Sequence, residues 1–441
     1  MEEVILIIDG RLAPTGLLGG AGMGLKWISR GRAGTALIGA TLLCMAATGR
    51  CMAQTILPPP EILGPFASDP PVQSLADWQQ RRAPLLREAF QSTVYGRLPT
   101  KRKLKFEHKK IIDPHAYGGL ASLEEVTIRF DRPSTQIVVA YAVPLTAGAH
   151  PVVIAATFCG NRRALGSEKL ATPSEPPAHC AQASSSAARA DGKPDPFRAE
   201  FPVAMLLERG YAIATFWTGD IVRDDPAKAA ETLRALTTAK DPDQRLGAIA
   251  AWGWGFSLII DYLETDKRFD PSAEAIYGHS RNGKAAISAA AFDSRIDLVF
   301  AHQSGRGGAS LSRSPNGESV SAITGRFPHW FAPNYGKFAS DPTQLPIDQH
   351  ELIGLIAPRP VLLGSGTEDQ WADPEGAWQA ARLATPVYKL FGHRGLTQNA
   401  KEEPDMTADI AYFLRPGKHI TTTEDWEKLV AFMDAHFKKA Q

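Results

Sequence analysis

Three stretches of this chain carry residues that together can run nucleophilic chemistry. The first is EAIYGHSRNGKAA, residues 274–286. A short apolar run reaches Gly278, Ser280 follows two residues later, and a run of small residues begins. That is the outline of a strand, a sharp turn and a helix. A serine hydroxyl is a weak nucleophile at neutral pH, and it needs a base within hydrogen-bond reach and an acid that orients the base. A serine on such a turn would also have the backbone N–H of Arg281 and the positive end of a helix beside it, where negative charge develops on a substrate oxygen.

Turns of this kind in α/β-hydrolases usually read G-x-S-x-G, with the acid and then the histidine following in chain order. Here the second glycine comes one place late, at Gly283, and Asn282 stands where glycine is usual. Asn tolerates unusual backbone angles better than most residues. The second stretch, LLGSGTEDQWADP, ends an apolar run with Glu368, Asp369 and Asp373. Asp369 is the expected acid because it lies just past the run, with Asp373 as the fallback. The third, LRPGKHITTTEDW, places His419 after the acid and before the final amphipathic stretch, and His419 is the expected base. His393 in FGHRG is the rival, read as a surface-turn histidine. His279 adjoins the serine and is expected to point away, while His302 and His329 precede the acid and break the order.

The elements that must position these residues follow from the hydrophobic pattern. HPVVIAATF, GYAIATFWTGD, the run before Ser280, LVFAHQ and RPVLLGSG are short, apolar and β-branched, as strands buried on both faces are. TPVYKLFGHRG is expected to be another strand, and EVTIRFD and QIVVAYAVP a pair joined by a turn at Pro133. LADWQQRRAPLLREAFQSTVYGRLP predicts a helix ending near Tyr95-Gly96. LGAIAAWGWGFSLIIDYLETD predicts a buried helix, and TEDWEKLVAFMDAHFKKA an amphipathic one capped at Thr423. Strands alternating with helices imply a mostly parallel sheet between helical layers, with ligands at the carboxyl ends of the strands. The expected fold class is therefore α/β, of the α/β-hydrolase type.

The chain has 441 residues, 44% hydrophobic and 22% charged, with a formal net charge of +1. No clustered basic face argues for nucleic acid. Residues 1–53 read as a secretory signal: Lys26, Arg30 and Arg32, then an apolar stretch from Ala33 to Ala47, then small residues around Ala53. Met23 is a candidate true start. The stretch is short for a membrane span, so the expected product is an exported single domain over 54–441, periplasmic or secreted, with no membrane span after processing. Cys159 and Cys180 remain after the signal, either as a disulfide or as two free thiols. Neither has metal-ligand or redox-motif spacing.

The boxes GHSRNGKAA, SGRGGASLSR, NGE, FPHWF, EDQWADP and RPGKH resemble carbohydrate esterase family 15, the glucuronoyl esterases, over most of the chain from about Trp78. VYGRLP, GYAIATFWTGD and AIAAWGWGFSLIIDYLETD resemble its bacterial members. The resemblance implies hydrolysis of esters between (4-O-methyl-)glucuronic acid on xylan and lignin alcohols, without a metal or organic cofactor. It implies Ser280 as nucleophile, His419 as base, and Arg281 as a side-chain support of the oxyanion. It further implies Lys284 and Glu318 as holders of uronate hydroxyls and Trp371 as a cover for the sugar. Many members carry a glutamate after the strand that follows the serine turn; here that position is Gln303, which leaves Asp369 as the acid. Another carbohydrate esterase, such as an acetyl xylan esterase, and a non-catalytic sugar-binding homologue are the alternatives.

Overall fold

The computed structural model describes residues 58–99, 103–130, 136–173, 175–177, 180 and 201–438. The signal segment, the Met23 start and the turn at Pro133 lie outside these residues.

The apolar runs are the strands of one sheet. In chain order these are β1 (Leu104–His115), β2 (Ala121–Phe130), β3 (Gln136–Pro144), β4 (His150–Thr157), β5 (Ala212–Trp217), β6 (Phe269–His279), β7 (Leu298–His302), β8 (Val361–Gly366) and β9 (Ile410–Arg415). Among the described residues the sheet order is β1-β2-β3-β5-β4-β6-β7-β8-β9. β1, β2 and β3 form an antiparallel wing, and β3 meets β5 antiparallel. From β5 to β9 every pairing is parallel. Parallel strands need crossovers, and the helices in those crossovers cover both faces.

Alternation along each strand divides the core in two. Val152 and Ile154 of β4 pack into one apolar cluster, Val153 and Ala155 into the other. The first cluster also takes the buried sides of α1 (Ala83–Phe90), α4 (Ala248–Leu263), α5 (Arg281–Phe292) and α6 (Pro374–Leu390). The second takes α2 (Val203–Glu208) and α7 (Thr423–Phe437), while α3 (Pro226–Leu236) packs into the first. Each fully buried Leu, Ile or Val contributes about 1.5–3 kcal/mol. α4 is buried on nearly every side, as its composition predicts.

Several local expectations change. TPVYKLF is not a strand but the end of α6, whose buried residues Ala377, Ala380, Ala381, Ala384, Val387 and Tyr388 follow a helical period across Pro386. The strand at this edge of the sheet is instead β9, which also sets up the His419 loop. The cap of α7 is Thr422 rather than Thr423. Its side chain accepts from Asp425 N, and the Asp425 carboxylate accepts from Thr422 N, forming a capping box. The helical segment at Leu75–Tyr95 ends before Gly96, at φ 83°, where a Cβ would lie 2.1 Å from the Arg245 carbonyl oxygen. Cys159 and Cys180 form a disulfide, with Cα atoms 5.4 Å apart.

Candidate active site

Ser280 stands between β6 and α5 at φ 56°, ψ −125°, a conformation L-residues rarely adopt. Two glycines permit it. A Cβ on Gly278 would meet Asn282 O at 2.0 Å, and one on Gly283 would meet Gly278 O and His302 O at 2.9 Å. The late glycine is therefore the point where the first turn of α5 presses on the ends of β6 and β7. Ser280 N donates to His302 O (2.9 Å), pinning the turn to β7. Asn282 is not at a left-handed angle; it lies in the regular helix, and its Nδ2 donates to Ala156 O (3.2 Å).

Asp369 follows β8 and is buried. Its Oδ2 lies 2.6 Å from Nδ1 of His419, which follows β9. The bond fixes the proton on Nδ1 and leaves Nε2 as the basic nitrogen. The base loop is held from several sides. Glu368 N donates to Gly417 O (2.9 Å), Gln303 Nε2 to Lys418 O (3.0 Å), and Arg415 to Ile420 O. Gln303 thus acts as a backbone clamp on the residue before His419.

Asp373, the fallback acid, has another task. It takes a left-handed angle (φ 55°) at the start of α6 and its Oδ1 accepts from Gly376 N (2.9 Å). His393 is the surface-turn histidine expected, with Nδ1 2.7 Å from Asp409 Oδ1. His279 departs from expectation: its ring centroid lies 4.6 Å from that of His419. The strand's side-to-side alternation does not continue through the left-handed turn at Ser280, so the ring stays with the base loop. Its Nδ1 is 3.2 Å from His302 Nδ1, and His302 Nε2 is 3.3 Å from Asp425 Oδ1. Burial holds both His279 and His302 below the usual imidazole range. Near neutral pH they remain uncharged, so an imidazolium at His419 would form without charged histidine neighbours.

Beside the serine, Lys284 is buried on α5. Its Nζ donates to Ser304 O and Arg306 O, both at 2.7 Å, and lies 4.0 Å from Glu318 Oε2. Two of three ammonium protons are thus taken by carbonyls and one remains for Glu318 or a ligand. Glu318 N donates to Trp371 O (2.9 Å), tying its loop to the loop of the acid. Trp371 is 55% exposed, an indole open to solvent two residues from Asp369. Ser280, Arg281, Lys284, Glu318, Asp369, Trp371 and His419 therefore come from the ends of β6, β7, β8 and β9. Sequence reasoning missed Asp224, after β5, which pairs with Arg281 (Nε to Oδ2, 2.9 Å). It also missed Phe158, whose ring lies 4.6 Å under the Arg281 guanidinium. The polar loop after GYAIATFW was the only signal for Asp224.

A serine on a strand–turn–helix elbow, with an acid–histidine pair from later loops of a mostly parallel sheet, defines the chain as an α/β-hydrolase. A family model for fungal glucuronyl esterases matches residues 198–392. A carbohydrate esterase of an unidentified prokaryote, MZ0003, is 34% identical over 377 residues, 83% of this chain and 86% of that protein. The solved structure of a promiscuous CE15 esterase from a marine bacterial metagenome superposes with a TM-score of 0.76 at 32% identity, covering 86% of this chain and 97% of that one. A glucuronoyl esterase from Solibacter usitatus gives a TM-score of 0.75 at 32% identity, over 86% and 97% of the two chains. The chain belongs to carbohydrate esterase family 15.

Asp369→Asn is expected to lower kcat by about 10⁴-fold, the scale seen when a triad acid loses its charge. Asp373→Asn keeps a capping oxygen and tolerates the left-handed backbone, so most activity should survive at a cost of no more than about 1 kcal/mol. Steady-state kinetics with thermal unfolding of both variants checks this. The reverse ranking would move the acid's role to Asp373.

Proposed function

We propose that this chain is a glucuronoyl esterase that cleaves the ester between (4-O-methyl-)glucuronic acid on xylan and a lignin alcohol. The observation that carries the reading is the buried Lys284–Glu318 pair, 4.0 Å apart, tied through backbone to the exposed Trp371 beside the acid–base pair. An ester hydrolase for small acyl groups has no use for a buried cation–carboxylate pair beside its serine. A uronic acid does: Lys and Glu give directional bonds to its hydroxyls, and an indole covers its C–H face.

In this reading hydrolysis runs through an acyl-enzyme. His419 Nε2 accepts the Ser280 Oγ proton as Oγ bonds to the uronate ester carbon. The carbonyl electrons move to oxygen, where the Arg281 N–H and guanidinium offset the charge. Asp369 stabilises the imidazolium. Collapse breaks the bond to the alcohol oxygen, which takes the proton from His419, and a uronoyl-serine remains. Water then repeats the sequence, freeing the carboxyl of the xylan-bound glucuronic acid and regenerating Ser280. No step calls for a cofactor. Residues 1–53 are proposed as the export signal, delivering the enzyme to the periplasm or medium where plant polymers are met. No described helix is long and apolar enough to cross a membrane.

A benzyl ester of glucuronic acid should be hydrolysed rapidly and acetylated xylan poorly. Preference for acetylated xylan would keep the serine chemistry and overturn the uronate. The Lys284 amine adds a pH test. Burial pulls it down to about 8, although Glu318 opposes this. Raising the pH through that value removes its charge, so kcat/KM for the uronate ester should fall above about pH 8. Lys284→Met should bind the ester more weakly and lack this limb; a limb that persists in the variant would assign it elsewhere.

A further inference from the structure

Arg281 is useful at the reaction centre only if its guanidinium is kept there. It is long, three-quarters buried (side chain 23% exposed), and flanked on one face by Phe158. Its Nε lies 2.9 Å from Asp224 Oδ2, an ion pair. Among the described residues its guanidinium N–H groups make no hydrogen bond, so the Nη donors are available to a ligand.

Asp224 is itself fixed. Its Oδ1 accepts from Trp330 Nε1 (2.7 Å) and from His329 Nε2 (2.9 Å). Those two residues are buried, and their carbonyls accept the first N–H groups of α4: Ala248 N to His329 O (2.9 Å) and Ile249 N to Trp330 O (3.1 Å). Trp330 also stacks on Phe327, with centroids 3.8 Å apart and planes 5° from parallel. A chain of rigid contacts therefore runs from the start of a core helix to one carboxylate oxygen, and the other oxygen meets Arg281.

We propose that Asp224 is a positioning residue for the ester hydrolysis, pairing with the Arg281 guanidinium on its Nε side so that its Nη donors meet the oxyanion. The inference rests on the oxyanion role given to Arg281 above. The charge pattern agrees. Burial alone would raise the Asp224 carboxyl, but the bond from His329, the Arg281 charge and the bond from Trp330 outweigh it and hold it below the usual range. Burial pulls the Arg281 guanidinium down and Asp224 opposes this. Both partners thus stay charged in a site that would otherwise disfavour each. A carboxylate aimed directly at a developing oxyanion would oppose it. Paired at Nε, this one neutralises the guanidinium in the resting site.

The test is a double-mutant cycle on a methyl ester of glucuronic acid: Asp224→Asn, Arg281→Met and the pair. Asp224→Asn should lower kcat by about ten- to a hundredfold with KM within a few-fold, because the lost interaction acts in the transition state. In the Arg281→Met background the same change should have almost no further effect, since residues that act through one another are not additive. Full additivity, or a loss confined to KM, would overturn the proposal. Asp224→Glu, which keeps the charge but lengthens the arm, runs the same cycle if Asp224→Asn does not fold. If the wild type cleaves p-nitrophenyl acetate but no uronate ester, the substrate reading fails. The cycle is then read on p-nitrophenyl acetate, whose tetrahedral intermediate carries the same oxyanion.

Discussion

The left-handed turn at Ser280 is the constraint on which the rest of this structure depends. A non-glycine residue held at φ 56° costs on the order of 1–3 kcal/mol, and persists only where its surroundings over-determine it. Here they do. Gly278 and Gly283 bring α5 within reach of the strand ends, closer than any side chain permits, and Ser280 N is bonded to β7. The elbow is thus set by the sheet and not by the loop alone. Moving the second glycine one place later does not weaken it, because the contact that matters is between Gly283 and the carbonyls of Gly278 and His302.

Around that fixed point the polar groups divide into two rigid brackets. One steadies the base: Asp369 at Nδ1, His279 against the ring, and Gln303, Glu368 and Arg415 on the loop backbone. Gln303 brings no charge to the histidine, yet its amide clamps the peptide just before it, a structural use for the position. The other bracket holds the two cations that follow the serine: Arg281 between Phe158 and Asp224, and Lys284 between two carbonyls and Glu318. In both, a polar side chain is restrained before a ligand arrives, and such preorganisation lowers the reorganisation a reaction needs.

Much of this was legible in the sequence, where local pattern and final position coincide. The β-branched runs became the parallel strands, and Ser280, Asp369 and His419 fell at their carboxyl ends in the expected order. TPVYKLF was misread because a short apolar run fits either period until its neighbours are counted; Ala377, Ala380, Ala381 and Ala384 supply the helical stripe. Asp369 and Asp373 could not be separated by spacing, since both follow the same strand within a few residues. Only the backbone angle and the Gly376 bond reveal Asp373 as a cap. Asp224 was invisible for a different reason. Its partners, Arg281, His329 and Trp330, are brought to it by the fold from distant segments, and no local motif marks a carboxylate whose task is to hold another side chain.

The central claim is that Ser280, activated by His419 and Asp369, is the nucleophile of an exported uronoyl esterase. Reaction with a fluorophosphonate, followed by peptide mass mapping, addresses it directly. The account requires a single covalent adduct on Ser280, formed rapidly in the intact enzyme and far more slowly when His419 is replaced by alanine. An adduct on another serine, or labelling of Ser280 at an unchanged rate without His419, would contradict it.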